Sequence, residues 1–477
     1  MKLYQKLANE LREHIQQGYF QTGDKMPSVR QLASQHEVSI STVQEAYRHL
    51  EMESLVEARP KSGYFATPNS NNHSLPEVSR PPQRPMEVSQ WEQVLTQLIN
   101  RENKGNIQLQ HAMPNMDSSS LKPLLKKLSD LTKHNISDSL SYGDVKGALV
   151  LREQLCRLAL GFGCHLHPSD LVVTSGCQEA LSVCLRAVAD AGEIIAIESP
   201  SFYGSIQAIK AANLKAIEIP THPVTGLSLE ALELALDQWP IKAILVTPTC
   251  NNPFGYTMPN ENKQKLYKLA QSYDIAIIED DIYGDISYQF PRPKTVKTFD
   301  EDGRVMFCSS FSKTIAPGLR VGWIAPGRYR DKVTHIKYVS NSMCPTLPQL
   351  AIADFIKTGG YDRHIRRSRQ EYRQARDHFI QTLNKYFPAE TKISLPEGGF
   401  ILWVELPKHI DVVKLSEECQ KHEINIAPGT LFSVTGKYRH CMRLNFSEKD
   451  MRTREDGIRK LAFLIKQQEA SLASETH

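Results

Sequence analysis

The sequence predicts an α/β protein of two folding units: a small helical head closed by a strand hairpin, and a large body with a mainly parallel sheet wrapped by helices. Three observations carry this. The N-terminal segment repeats apolar residues at helical spacing and then turns to strand-like pairs. Residues 68–85, PNSNNHSLPEVSRPPQRP, are too rich in proline and asparagine for helix or sheet. Beyond them, short apolar runs at 171–174, 194–198, 243–247, 276–279 and 305–309 alternate with helical segments, the pattern of a parallel sheet. The length agrees, since 477 residues exceed what one compact core ordinarily holds.

In the head, Leu3, Leu7, Leu11 and Ile15 recur every four residues and mark the apolar stripe of a first helix, closed by Gly18 and the turn at Gly23 and Asp24. Ser28 can cap a second helix over 29–35. After the break at Glu37 and Val38, Ser39 or Ser41 can cap a third, which turns Val43, Ala46, Tyr47 and Leu50 inward. Two short helices meeting at a tight turn make a helix-turn-helix. Residues 55–58 and 64–67, joined by RPKSG, read as a hairpin placed as a wing. Residues 1–68 hold eight Lys/Arg and eight Asp/Glu, so bulk charge does not argue for a nucleic-acid partner and pattern must.

That pattern is specific. MPSVRQLA (26–33), VSISTVQEAYRHL (38–50) and the Lys61-Ser62-Gly63 tip resemble GntR-type winged helices. The resemblance implies double-stranded operator DNA as partner, contacted by Ser28, Arg30, Ser39, Ser41 and Thr42, with Lys61 and Gly63 at the wing. Many relatives have arginine where this chain has Ile40 and Gln44. Ile40 touches a thymine methyl but cannot hydrogen-bond a guanine edge, and Gln44 favours adenine, so a different operator and a modest affinity are expected.

In the body, residues 309–320 read SSFSKTIAPGLR directly after a strand. A lysine there, Lys313, suits a Schiff base, while Ser310, Ser312 and Arg320 supply donors and positive charge for a phosphate. TSGCQEAL (174–181) sets a glycine between strand and helix, so the backbone N–H groups of Gly176, Cys177 and Gln178 can face an anion at the helix N-terminus.

The lysine segment resembles the cofactor-lysine motif of fold-type I pyridoxal-phosphate enzymes, the aminotransferase superfamily, and further motifs follow in that family's order. The resemblance implies pyridoxal 5'-phosphate as cofactor. Phe202 of PSFY (200–203) would stack on its ring, with Tyr203 the second candidate. Asn252 of PTCNNPFG (248–255) and Tyr283 would reach the phenolic oxygen. Asp280 is preferred to Asp281 as the partner of the ring nitrogen, because the family places an aspartate three residues before a tyrosine. Tyr142 of YGDVKG (142–147) would reach the phosphate of the neighbouring subunit's cofactor, and Arg443 of MRLNF (442–446) would grip an α-carboxylate.

A GntR-like head on such a body is the architecture of the MocR subfamily of bacterial regulators, which the chain resembles over nearly its full length. The implied division is 1–68 head, 69–88 flexible linker and 89–477 aminotransferase-like effector domain with a smaller C-terminal subdomain. The implied assembly is a head-to-tail homodimer, and the implied effector an amino acid or amine that displaces Lys313. Two alternatives stay open: an active aminotransferase carrying a DNA-binding head, and a sensor of pyridoxal phosphate itself.

Composition excludes other classes. Apolar residues at 40% and charged residues at 23% do not suit a mainly disordered chain. Nine scattered cysteines without a CxxC spacing suit reduced thiols in the cytoplasm, and no metal is expected. The opening MKLYQKLANELREHI is amphipathic rather than signal-like, and no apolar run approaches bilayer length, so neither export nor membrane insertion is expected.

Overall fold

The computed structural model describes residues 3–16, 19–20, 23–52, 55–59, 62–66, 74–88, 92, 107–116, 118–134 and 141–475. Its contacts divide the chain into two compact units, Met1–Ser74 and Leu75–His477.

The first unit holds α1 (Leu3–Gln16), α2 (Val29–Gln35) and α3 (Ile40–Met52), then β1 (Val56–Arg59) paired antiparallel with β2 (Gly63–Ala66). Leu7, Leu11 and Ile15 of α1 close a core with Leu32, Val43 and Tyr47. Leu3, expected on the same stripe, is 65% exposed. Helical side chains lean toward the N-terminus, so a first-turn residue projects past the packed end. Ser28 accepts from the Gln31 amide at 3.1 Å, and Ser39, rather than Ser41, accepts from the Thr42 amide at 3.1 Å, so each helix start has one amide satisfied by a cap. Tyr47 stacks on Tyr64 at 4.2 Å and donates its hydroxyl to the Pro27 carbonyl, tying α3 to the hairpin and to the entry of α2. Gly63 has φ +104°, which a side chain would disfavour.

In the second unit the first described strand is the short β3 (Ile107–Gln108), and an eight-stranded sheet dominates. Its strands are β4 (Val172–Thr174), β5 (Ile194–Ser199), β6 (Lys215–His222), β7 (Gly226–Leu227), β8 (Ile241–Val246), β9 (Ala276–Asp280), β10 (Val305–Ser310) and β11 (Gly322–Ala325), in the order β4-β11-β10-β9-β8-β5-β6-β7. Strands β6, β5, β8, β9 and β10 run parallel, whereas β11 is antiparallel to both its neighbours. The central strands are nearly continuous apolar runs because helices cover both faces. Among those helices are α4 (Cys177–Val188), which follows β4, and α5 (Tyr203–Ala211), which follows β5. β6, β7 and β11 were absent from the five expected strands, β7 being only two residues long. β11 is only four residues long, and β6 carries Pro220 near its end, so both lack the plain apolar run that marks the others.

The C-terminal subdomain builds a smaller antiparallel sheet, β12 (Lys392–Ile393), β13 (Ile401–Glu405), β16 (Cys441–Asn445) and β15 (Ala427–Pro428), while β14 (Ile424–Asn425) pairs with β3. A long helix, α6 (Gly360–Tyr386), contributes Tyr361, Ile365, Tyr372 and Phe379 to the shared core.

The segment expected to be a solvated linker over 69–88 behaves otherwise from Leu75 onward. The Glu77 amide donates to Glu405 Oε2 at 2.8 Å, Ser79 Oγ to the Ser199 carbonyl at 2.9 Å, and Met86 exchanges two backbone bonds with Ala216 at 2.8 and 2.9 Å. Val88 is buried. An irregular segment satisfies its backbone groups on the body it crosses as readily as in water. Residues 69–73, and 89–101 apart from Glu92, lie outside the described residues.

Candidate functional site

The parallel sheet concentrates its turns at one edge, where ligands of open α/β sheets bind. At the carboxyl ends of successive strands stand Gly176 after β4, Lys313 after β10, Asp280 closing β9, Asn252 after β8 and Phe202 after β5. β11 runs the opposite way, so Arg320, two residues before it, reaches the same edge.

Asp280 is buried against α4. Its Oδ1 accepts from Cys177 Sγ at 3.3 Å and from the Ile282 amide at 3.2 Å. Burial pushes the carboxyl up to about 6, opposed by these donors and by the Lys313 charge. Asp281, the alternative, points elsewhere: it pairs with Arg292, which also binds Asp285 at 2.5 Å. Lys313 Nζ donates to the Ala112 carbonyl at 2.5 Å. Ser310 and Ser312 are both buried beside it, and Ser310 Oγ accepts from the Ser312 amide at 3.3 Å.

Gly176 caps α4 with φ +93°, and a Cβ there would meet Arg320 Nη2 at 2.5 Å. Arg320 itself sits at φ +51° and donates to the Ser175 carbonyl. Gln178 Nε2 donates to the Gly204 carbonyl at 2.7 Å, next to the Phe202 ring, which lies 4.7 Å from that of Tyr203. Tyr283 is fully buried and its hydroxyl has no hydrogen-bond partner among the described residues; burial raises its pKa.

Arg443 enters from β16. It is fully buried, Nη1 donating to Asn252 Oδ1 at 3.2 Å and Nη2 to the Gln110 carbonyl at 2.5 Å, under the rings of Phe432 at 5.0 Å and Tyr203 at 5.7 Å. Tyr142 is not brought in. It stands 91% exposed and makes no hydrogen bond or ring contact with these residues.

Four contributors escaped the sequence reading. The Gln110 and Ala112 carbonyls hold Arg443 and Lys313 from an irregular segment that carries no motif. Glu198, buried and raised to about 7 by that burial, accepts from the Thr247 amide at 2.9 Å and Asn251 Nδ2 at 3.1 Å, bracing the turn that presents Asn252. His364 of α6 contacts the Thr314 carbonyl through Nε2 and Ser120 Oγ through Nδ1, each at 2.7 Å. A carbonyl only accepts, so Nε2 carries the proton and the neutral ring accepts from Ser120. The only sequence signal for His364 is its place on the apolar face of α6, where Tyr361, Ile365 and Tyr372 recur at helical spacing.

In the head, Arg30, Ile40, Ser41 and Gln44 are exposed on α2 and α3, Ile40 at 50%, and Thr42 is half-buried. The hydroxyls of Ser28 and Ser39 accept helix amides, and that of Ser39 also meets Ser41 Oγ at 2.7 Å and Thr42 Oγ1 at 2.8 Å. Gly63 is exposed at the hairpin, and Lys61 lies outside the described residues. Among the described residues no helix is long and apolar enough to cross a membrane.

The fold and the edge cluster define a fold-type I body of the aminotransferase class. Residues 107–460 match the family Aminotransferase class I and II, and residues 3–65 match Bacterial regulatory proteins, gntR family. The chain is 46% identical to the uncharacterized HTH-type transcriptional regulator YjiR of Escherichia coli, over 97% of this chain and 98% of that one, and 33% identical to YdcR of the same organism, over 98% and 100%. Among solved structures, a multiple substrate aminotransferase from Thermococcus profundus superposes at TM-score 0.74 with 28% identity, covering 80% of this chain and 96% of that one. A Pyrococcus horikoshii kynurenine aminotransferase does so at 0.73 with 31% identity, over 80% and 95%. The chain therefore belongs to the GntR-type transcription regulators that carry a class I and II aminotransferase domain, the MocR architecture.

With that membership the cofactor is pyridoxal 5'-phosphate. The residues fit it. The orphaned Tyr283 hydroxyl, a buried Asp280 near Lys313, and a glycine turn with Arg320 against it offer partners for a phenolic oxygen, a ring nitrogen, an aldehyde and a phosphate.

Proposed function

We propose that the chain regulates transcription by binding a DNA operator through its head and an amino acid or amine through its body. The observation that carries the second half is Arg443: a fully buried guanidinium with no carboxylate within 4.0 Å among the described residues, in the same edge cluster as Lys313. A buried charge without a counter-ion is unfavourable, and an incoming carboxylate is the partner that completes it.

The cofactor supplies an aldehyde that takes a primary amine and a ring that withdraws electrons. The chain's residues hold and orient it. Lys313 is the resident amine, kept at the site by the Ala112 carbonyl. Asp280 would face the ring nitrogen, and Asn252 and Tyr283 the phenolic oxygen, with Phe202 against the ring. Gly176, Cys177, Gln178, Ser310, Ser312 and Arg320 would hold the phosphate, and Arg443 would receive the effector's carboxylate. A homodimer completes the site, since the 91% exposed Tyr142 has its role only against a partner's phosphate. An effector that prefers one of two body conformations shifts the population and, with it, the operator affinity of the heads.

The retained lysine, aspartate and arginine also favour a second reading, turnover as an aminotransferase. One experiment separates the two: absorbance titration of the purified protein with a panel of amino acids and amines, with keto-acid product measured in the same tubes. A saturable spectral shift without product is the expected result. Multiple turnovers would make catalysis the main activity, and no shift with any amine would remove the effector site.

On the head, Arg30 is exposed at the start of α2 and is assigned to the DNA surface. Arg30→Ala is expected to weaken binding to an operator selected from random duplexes by roughly tenfold, about 1–2 kcal/mol, measured by fluorescence anisotropy at fixed salt. Unchanged affinity would take Arg30 off that surface.

A further inference from the structure

Cys177 is the first residue of α4, so its backbone amide belongs to the turn at Gly176 while its side chain reaches back to β9. The thiol is buried and is a donor to Asp280 Oδ1 at 3.3 Å. The Ile282 amide approaches the same oxygen at 3.2 Å, so both donors converge on Oδ1, and among the described residues none reaches Oδ2. The carboxylate is thereby pinned by one oxygen, with the other left open.

We propose that Cys177 is a positioning residue for the cofactor's ring nitrogen: its thiol fixes the Asp280 carboxylate by Oδ1 and keeps Oδ2 turned to the ring. This rests on the assignment of Asp280 to that nitrogen. A buried carboxylate needs donors to stay ionised, and an S–H is a weak one, so it orients the group while withdrawing little of the charge that the ring nitrogen's proton requires. The other titratable groups acting on Asp280 and its thiol neighbour are Lys313 from the loop after β10, Cys308 from β10, Cys184 from α4, Glu198 from β5 and Tyr283. None of them supplies a hydrogen bond to Asp280. Burial and the Asp280 charge both raise the Cys177 thiol, so it remains the protonated donor.

The test uses full-length protein carrying Cys177→Ala, Cys177→Ser or Asp280→Asn, each reconstituted with pyridoxal phosphate and, separately, with its analogue that has CH in place of the ring nitrogen. Cys177→Ala is expected to weaken pyridoxal phosphate binding about threefold to tenfold and to leave the analogue's binding unchanged. Without the thiol, Asp280 holds a proton more tightly and the ring nitrogen holds one less fully. The pH at which the Lys313-linked absorbance titrates then rises by about half a unit to one unit. Cys177→Ser, which keeps a donor in similar volume, restores both values and shows that the fold tolerates the position. Equal losses on both cofactors would make Cys177 a packing residue, and no loss on either would leave it without a role; each overturns the proposal. If Asp280→Asn discriminates between the two cofactors while Cys177→Ala does not, the proposal falls and the Asp280 assignment stands. If Asp280→Asn does not discriminate, the assignment falls first.

Discussion

Lys313→Ala is expected to remove the absorbance of lysine-linked pyridoxal phosphate entirely, and with it the spectral response to every amine. No other lysine stands where Lys313 does, after β10 and beside Asp280, with its ammonium held by the Ala112 carbonyl. The effect is a loss of covalent attachment rather than of packing: Lys313 is only partly buried, and alanine leaves the neighbouring Phe311 and Ile315 in the core. Phosphate and ring contacts remain, so non-covalent binding persists at reduced affinity. The head, whose described core residues all lie within 4–66, should melt and bind DNA as before. The measurement pairs an absorbance spectrum with operator binding at saturating cofactor. A persisting lysine-linked band would move the attachment to another lysine. Loss of the band together with loss of head folding would show that the variant acts on stability instead.

Much of this arrangement was legible in the sequence, for local reasons. The apolar runs of β5, β8, β9 and β10 are buried on both faces and need no partner to be recognised. The residues at their carboxyl ends sit in short motifs whose glycines, prolines and hydroxyls betray the turn. Val43, Ala46, Tyr47 and Leu50 turned inward as helical spacing requires. What escaped depends on tertiary contact. The Ala112 carbonyl lies 201 residues from Lys313 in sequence, and the Gln110 carbonyl 333 from Arg443; a backbone oxygen leaves no mark in a side-chain pattern. The same holds for 75–88, whose polar composition says that it builds no structure of its own but not that it docks on the body. Ile40 and Gln44, the departures from the arginine-bearing head, lie exposed at the start and middle of α3.

The second large effect is expected at Arg443, and it separates effectors by their own chemistry. Its guanidinium is fully buried, with Asn252 Oδ1 and the Gln110 carbonyl as acceptors and Nε without a partner among the described residues. Two neutral acceptors orient the group but do not neutralise it. A carboxylate binding in bidentate fashion does, beside the rings of Phe432 and Tyr203. Arg443→Gln keeps amide donors for Asn252 and Gln110 and removes the charge. It is expected to weaken the response to an effective amino acid about 100-fold, roughly 3 kcal/mol, while the response to the corresponding decarboxylated amine changes by less than about threefold. The comparison is internal, because both ligands present the same amine to the same cofactor in the same variant. A packing defect would weaken both ligands together, and a carboxylate held elsewhere would leave both unchanged. Only a guanidinium that meets the carboxylate directly makes the two titrations diverge, and the divergence also fixes the effector class: an amine that gains nothing from Arg443 in the wild-type protein is sensed by Lys313 exchange alone.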